Sequence, residues 1–473
     1  MYYRGSEYSL KVLFSLIILL FNDMKNKMNI PSEYLLRMKE LFGADASEWY
    51  DRPAFRGIRI NLLKADESLL DMLPFETKPS PFAENGRYID SGLEGIGADP
   101  FHHAGAFYVQ EPSASCAVAA LDPRPGERIL DLCAAPGGKS GQIAERLKGD
   151  GLLISNEYVR GRVKPLSSNL ERLGVRNSVI TNCAADLLCE RLAGYFDRVL
   201  VDAPCSGEGM MRKEAAARDG WSMDNIRLCA GRQKEILRNA AKSVRTGGVL
   251  VYSTCTFAPE ENEEVISDFL KSGEFELTEC GFGFSRSGLA QYGREMCKTV
   301  RVFPDDGGEG HFVAKMIRKS EAGSLREPYR RKDNAHADTL KRAQSLYEEL
   351  TDEPIFGKTA VFGSTVRILP NEMPELSGIN VVRAGVDLAE IKGKRLEPMH
   401  GFYMAAKPER VFNLLEMDTS DKRIAHFLNG QQIECGGKKG YCAAAVNGFI
   451  MGFGKCSDGV MKNHYPKGLR NLR

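Results

Sequence analysis

Two short motifs place a cysteine just beyond an apolar run: VLVDAPCSGEGM, with Asp202 and Cys205, and VLVYSTCTF, with Cys255. As a thiolate, cysteine is a strong nucleophile, and positions just past strand ends are where chemistry concentrates and packing is loose. One reaction gives such a pair a purpose. Carbon 5 of a pyrimidine is too poor a nucleophile to take a methyl group from a sulfonium donor, but a thiolate adding to carbon 6 makes carbon 5 enamine-like. Asp202 could hydrogen-bond ring N3 and the exocyclic amine as negative charge develops there. A base must then remove the carbon 5 proton so that the thiol can leave, and a second cysteine could take part. The residues alone leave open which thiol attacks.

A methyl donor needs a cradle, and the stretch Ile129 to Ser140, ILDLCAAPGGKS, has its form: an apolar strand, a small-residue loop and the helical pattern Lys139 to Leu147. Three occupants compete. A phosphate loop needs glycine five residues before Gly138, where this chain has Cys133, and a dinucleotide fingerprint needs G-x-G-x-x-G, where it has Ala134, Ala135, Pro136, Gly137 and Gly138. The third occupant, S-adenosylmethionine, has no phosphates and calls for acids that can meet ribose hydroxyls and an amino group.

Stepping out to the elements that must hold these residues, strand and helix signals alternate as a parallel sheet requires. Strands are expected at Ile129 to Asp131, Gly151 to Asn156, Ser178 to Thr181, Arg198 to Val201 and Val249 to Ser253, with a closing hairpin from Lys298 to Phe303 and His311 to Ile317. Acids then stand at or past four strand ends: Asp131, Glu157, Asp186 and Asp202. Ligands of open α/β sheets bind outside those ends, so Glu157 is expected at the ribose and Asp186 at the adenine amino group. Strands four and five are expected as neighbours about 5 Å apart, which would bring Cys205 and Cys255 together over one crevice. A helix from Gly161 to Leu173 is expected to shift or kink at Pro165. The acids from Glu260 to Glu264 would oppose a thiolate, and a helix N-terminus, Arg212 or Lys213 is expected to offset them.

The chain has 473 residues, enough for two or three cores, and 64 basic against 63 acidic side chains, so any nucleic-acid surface must be local. Twelve cysteines without a C-x-x-C pair read as reduced thiols, with no metal site. The apolar run VLFSLIILLF near the start is too short to span a bilayer and lacks a cleavage site after it, so residues 1–27 are read as an extension outside the fold and the protein as cytoplasmic, with no membrane association. In the N-terminal region Arg56, Arg59 and Lys64 are read as a solvated edge or as phosphate contacts. Residues 319–339 read as a linker. The tail MKNHYPKGLRNLR carries four basic side chains around Tyr465 and suggests RNA contact.

DLCAAPGGKS, DAPCSGEGM and YSTCTFAPEENE, in that order, with GAFYVQEPS ahead of them, resemble the RNA 5-methylcytosine methyltransferases of the Sun family, nearest the bacterial RsmF type that acts on small-subunit ribosomal RNA. The resemblance runs from about Met28 to the carboxyl terminus. It implies a class I, Rossmann-like α/β methyltransferase sheet over residues 113–318, a small α+β RNA-binding subdomain over 28–112, and a C-terminal RNA-binding α+β module over 340–473 ending in a PUA-like domain. It implies that Cys255 is the nucleophile and that Cys205 assists release. It places S-adenosyl-L-methionine against Cys133, Ala134, Ala135, Pro136, Gly137, Gly138, Lys139, Glu157, Asp186 and Asp202. The implied partner is ribosomal RNA or the small subunit. Transfer RNA is the rival substrate, and a non-catalytic ribosome-assembly factor is the rival class. Oligomeric state is not legible.

Overall fold

The computed structural model describes residues 29–283, 286–322 and 336–470. The extension expected over residues 1–27, and residues 323–335 of the expected linker, lie outside the described residues. Among the described residues no helix is long and apolar enough to cross a membrane.

The core is a ten-stranded sheet. In chain order its strands are β1 (Arg128–Asp131), β2 (Leu152–Asn156), β3 (Ser178–Thr181), β4 (Phe196–Asp202), β5 (Val244–Thr254), β6 (Phe275–Thr278), β7 (Arg286–Ser287), β8 (Val300–Val302), β9 (His311–Arg318) and β10 (Val381–Ala384). Across the sheet the order is β7-β8-β9-β5-β4-β1-β2-β3-β10, with β6 also paired to β9. The run β3-β2-β1-β4-β5 is parallel. The order reverses between β1 and β4, the switch point at which such sheets bind ligands. Asp131 and Asp202 end those two strands.

Helices cover both faces: α1 (Gly138–Leu147), α2 (Arg160–Arg172), α3 (Ala185–Arg191), α4 (Met223–Ser243) and α5 (Glu263–Leu270). Because side chains alternate along a strand, Leu130, Ile154, Val199 and Leu250 pack with Leu237 of α4 on one face. Ile129, Leu153, Leu200 and Val251 pack with Ile143 of α1 and Leu166 of α2 on the other. That two-sided burial is why the strands read as unbroken apolar runs. Helix α2 runs without interruption through Pro165, so the proline removes one helical N–H but does not end the helix.

Two expectations for the flanking regions are overturned. Arg59 is 1% exposed and its guanidinium lies 2.9 Å from Glu145 of α1, while the part-buried Lys64 donates to the carbonyls of Ala104 and Arg172 at 2.8 and 3.0 Å. Arg56, half-exposed, donates to the carbonyls of Ser91 and Leu93. Arg59 and Lys64 thus staple the N-terminal region to helices α1 and α2 rather than forming a solvated edge or phosphate contacts. Tyr465, expected at RNA, is 2% exposed, and its hydroxyl lies 2.6 Å from His103 Nδ1. It sits in a core shared by Ile58, Ile60 and Phe107 of the N-terminal region with Phe427 and Met451 of the C-terminal region.

The C-terminal region forms a four-stranded and a five-stranded sheet, and it also sends β10 into the methyltransferase sheet. Arg383 of β10 donates to the Ser167 carbonyl at 3.1 Å and lies 3.3 Å from Glu171, both on α2. His400 Nδ1 lies 2.8 Å from the same Glu171 carboxylate. Burial would push this carboxyl up, but His400 and then Arg383 hold it at about 2.

Candidate active site

The geometry starts from β4 and β5, paired in parallel with Asp202 opposite Ser253. Beyond their ends the chain turns back over the sheet, and the sulfurs of Cys205 and Cys255 stand 3.2 Å apart as free thiols. Two buried carboxylates hold the turns. Glu208 accepts from Thr256 Oγ1 and the Phe257 amide, both at 2.9 Å, and from Trp221 Nε1 at 2.8 Å. Glu261 accepts from the Ser206 amide at 3.0 Å, from Ser206 Oγ, and from Gln233 Nε2 at 2.8 Å. The Gly209 amide donates to the Cys255 carbonyl at 2.9 Å. The Cys205 thiol is held well above its ordinary range, first by its hydrogen bond with Cys255 and then by burial.

The expected counter-charges are elsewhere. Glu260 pairs with Arg37, and Glu263 pairs with Arg301. Glu261 is pushed up to about 7 by burial, so it carries only part of a charge near neutrality. Arg212 is bound 2.7 Å from Glu309 and Lys213 is exposed, so neither serves the thiols. The cation facing them is Lys139, in the first turn of α1. Burial works against its charge, but Asp202, and behind it Cys255 and Asp131, hold its ammonium above the usual lysine range. Lys139 Nζ donates to Asp202 Oδ2 at 2.8 Å, and Ser253 Oγ donates to Oδ1 at 2.7 Å. Burial alone would raise Asp202; Lys139 foremost keeps it below the ordinary carboxylate range.

The loop from Leu132 to Gly138 is pinned from both sides. Its Ala134 amide donates to the Asn156 carbonyl at 2.8 Å, Arg162 of α2 donates to the Ala135 carbonyl at 2.9 Å, and Asn169 of α2 donates to the Pro136 carbonyl at 2.9 Å. Gly137 has φ of +110°, a conformation that a side chain resists. At Gly138 a Cβ would lie 2.9 Å from the Tyr108 ring, so this glycine serves packing against the FYVQ strand. Cys133 lies in this loop, part-buried, with its thiol raised by burial and then by Asp131 and Asp202.

Among the acids, Asp131 accepts from Ser140 Oγ at 2.7 Å through Oδ2, while its buried Oδ1 accepts no hydrogen bond. Glu157, just before α2, accepts from the Val159 amide at 2.7 Å through Oε1, and its buried Oε2 makes no hydrogen bond but lies 3.5 Å from the Arg162 guanidinium. Asp186 is exposed in the first turn of α3 and accepts from the Leu187 amide at 2.7 Å. Two residues lay outside the reading of the sequence. Asn182, just past β3, donates to the carbonyls of Glu157 and Tyr158 at 2.6 and 2.9 Å, and its own amide donates to the Asn380 carbonyl beside β10 at 3.0 Å. The acid after β2 is thus positioned through a segment of the C-terminal region. The other is His311, which begins β9 beside Asp202. Each is a single polar residue without a motif, so only its partners give it meaning.

Residues 118–317 match the 16S rRNA methyltransferase RsmB/F family. Ribosomal RNA small subunit methyltransferase F of Vibrio parahaemolyticus is 30% identical over 94% of this chain and 98% of its own length, and that of Klebsiella pneumoniae 31% over 94% and 97%. The chain belongs to the RsmF-type methyltransferases of the Sun family. Its flanks carry the family's other parts: the RsmF N-terminal domain at residues 30–112, the first C-terminal domain at 346–405 and the RsmF PUA domain at 414–471. A crystal structure of a methyltransferase homolog protein from Pyrococcus horikoshii is 31% identical, with a TM-score of 0.55 over 62% of this chain and 96% of that one. NSun6 from the same organism, 22% identical with a TM-score of 0.56, shares the fold. As in its family, the methyl donor is S-adenosylmethionine. The site fits it: Asp131 Oδ1 is a buried acceptor without a partner, of the kind an amino group satisfies, and Glu157 Oε2, without a hydrogen bond and 3.5 Å from Arg162, has room to accept from a ribose hydroxyl.

Proposed function

We propose that the protein methylates carbon 5 of a cytidine in small-subunit ribosomal RNA through a covalent bond between Cys255 and carbon 6, acting in the cytoplasm. The observation that carries this reading is the pair of thiols 3.2 Å apart, beside a lysine–aspartate pair 2.8 Å apart. The cytosine must be unstacked to reach sulfur at the floor of this crevice, so a flexible or melted RNA segment is the target. Lys139 and Asp202 face its polar edge, the carboxylate accepting from the exocyclic amine and the ammonium meeting the charge that builds on N3 and O2. The Cys255 thiolate adds to carbon 6, and the electron pair of the C5–C6 double bond moves into the ring, making carbon 5 nucleophilic. S-adenosylmethionine supplies an electrophilic methyl group. Water then takes the carbon 5 proton, and the C6–S bond breaks with its electrons returning to Cys255. Cys205, kept as a neutral thiol, donates to that departing sulfur. Glu157 and Asp186 orient the cofactor through its ribose and adenine, and the loop from Cys133 to Lys139 bounds it.

RNA contact is proposed along a row in the C-terminal sheet, where Tyr441 is opposite Lys455 and Lys455 opposite Lys462. Like charges facing each other across strands destabilise a sheet, which a phosphate backbone would relieve.

Labelled cofactor offered with unmodified small subunits, free small-subunit RNA or transfer RNA tests the reading. Label at carbon 5 of a ribosomal cytidine, lost in Cys255→Ala, is the expected result. Label on transfer RNA alone would move the substrate, and no transfer to any of them would remove the enzyme reading.

A further inference from the structure

His311 is a buried imidazole in the wall of the crevice. It opens β9, where the next residue, Phe312, pairs with Thr254, one position before Cys255. Its side chain is 2% exposed, and neither Nδ1 nor Nε2 makes a well-formed hydrogen bond, with the Gly310 carbonyl the backbone acceptor nearby. A desolvated ring with two unsatisfied nitrogens is unfavourable and calls for an explanation. Its nearest carboxylate is Asp202, with Nε2 3.9 Å from Oδ1, the oxygen that also accepts from Ser253. The other oxygen, Oδ2, is held by Lys139. Burial, and then Lys139, push the imidazole down to about 4, so it is neutral in the working range.

Lys139 has three N–H donors to share between Asp202 and the charge that develops on the base, so its hold on Asp202 weakens as that charge grows. As the ammonium turns toward N3 and O2, Oδ2 opens to the exocyclic amine, and part of the counter-charge of Asp202 is drawn away. A second cation in its place would compete with the substrate for the carboxylate. A neutral N–H donor would not, and His311 is the group placed to supply one by closing a gap of about an ångström. We propose that His311 is a positioning residue for Asp202, donating from Nε2 to Oδ1 when Lys139 engages the base, so that the carboxylate keeps its aim and its charge through thiolate addition. This rests on the reading above that Asp202 and Lys139 face the cytosine. The groups facing Asp202 are Lys139 from α1, Asp131 from β1, Cys133 from the loop and His311 from β9, with Glu111 behind His311.

The test is the single-turnover rate of methyl transfer to a small-subunit RNA fragment as a function of pH, with RNA and cofactor affinities measured alongside. Removing one donor to a carboxylate raises its pKa, so His311→Phe is expected to slow the step about tenfold and to move upward by about one pH unit the limb due to Asp202, which lies at lower pH than those of Asp131 and Glu261. Both affinities should stay near those of the unaltered protein. His311→Gln, which restores an amide donor near the Nε2 position, is expected to recover most of the rate and of the limb. An unshifted limb in His311→Phe, or equal impairment of the Phe and Gln variants, would overturn the proposal. If His311→Phe does not fold, the imidazole tautomer decides in the unaltered protein: 15N-histidine spectra must show His311 carrying its proton on Nε2, and a proton on Nδ1 would sink the idea. Turnover by wild-type protein that persists in Cys255→Ala would instead refute the underlying mechanism, leaving the two failures distinguishable.

Discussion

Two thiols side by side are not equivalent. Cys205 is held above its ordinary range by its neighbour and by burial, and Lys139 lies on the Cys255 side, which supports the proposed division into a donor and a nucleophile. Removing Cys255 should lower methyl transfer by about a thousandfold or more. Cys205→Ala should instead accumulate a protein–RNA adduct that survives denaturing electrophoresis; normal turnover without such a band would refute its role in release. Asp131 carries a second prediction. Burial lifts its carboxyl to about 7, with Asp202 adding to the rise, so near neutrality it is partly protonated. A cationic ligand favours the ionised form. Cofactor affinity should therefore increase as pH rises through about 7, with protons released on binding, which calorimetry in buffers of different ionisation enthalpy would register. An affinity flat across that window would show that Asp131 does not meet the ligand.

The elements divide into those that local pattern betrays and those that it cannot. Strands β1 to β5 were legible because burial on both faces leaves apolar runs that end abruptly in Asp, Asn or Thr, and the crevice acids and thiols follow from where the runs stop. Arg59 and Tyr465 were misread because their partners, Glu145 and His103, lie far away in sequence, and a buried cation looks like a surface one until its carboxylate is found. Nothing in the residues of β10 names β3 as its neighbour. That pairing makes Asn182 a hinge point between two parts of the chain. Asn182→Ala removes both side-chain bonds to the Glu157 turn and is expected to weaken cofactor binding about tenfold while leaving RNA affinity unchanged. Equal loss of both affinities would point to general unfolding.

At the scale of the whole molecule, a net charge of +1 means that RNA must be drawn by a local surface. The surface proposed for this is the exposed Lys455, 5.1 Å over the Tyr441 ring, with its cross-strand neighbour Lys462 on the C-terminal sheet. Lys455→Glu with Lys462→Glu should raise the dissociation constant for RNA and lower the salt dependence of binding by about one counterion per lost contact. Single-turnover chemistry at saturating RNA should be unchanged, and an unaltered salt slope would place the RNA elsewhere.

The insertion of β10 into the methyltransferase sheet also bears on how the protein is made. A ribosome releases β1 to β5 first, and the outer edge of β3 then stays open until the chain has been extended past Ala384. A nascent chain holds both thiols, the small-residue loop and all four crevice acids, yet the Asn380 carbonyl that anchors Asn182 does not yet exist. If Glu157 holds the methyl donor as proposed, its full support arrives only once Asn380 has been made, and a chain cut before Val381 leaves the outer edge of β3 unpaired.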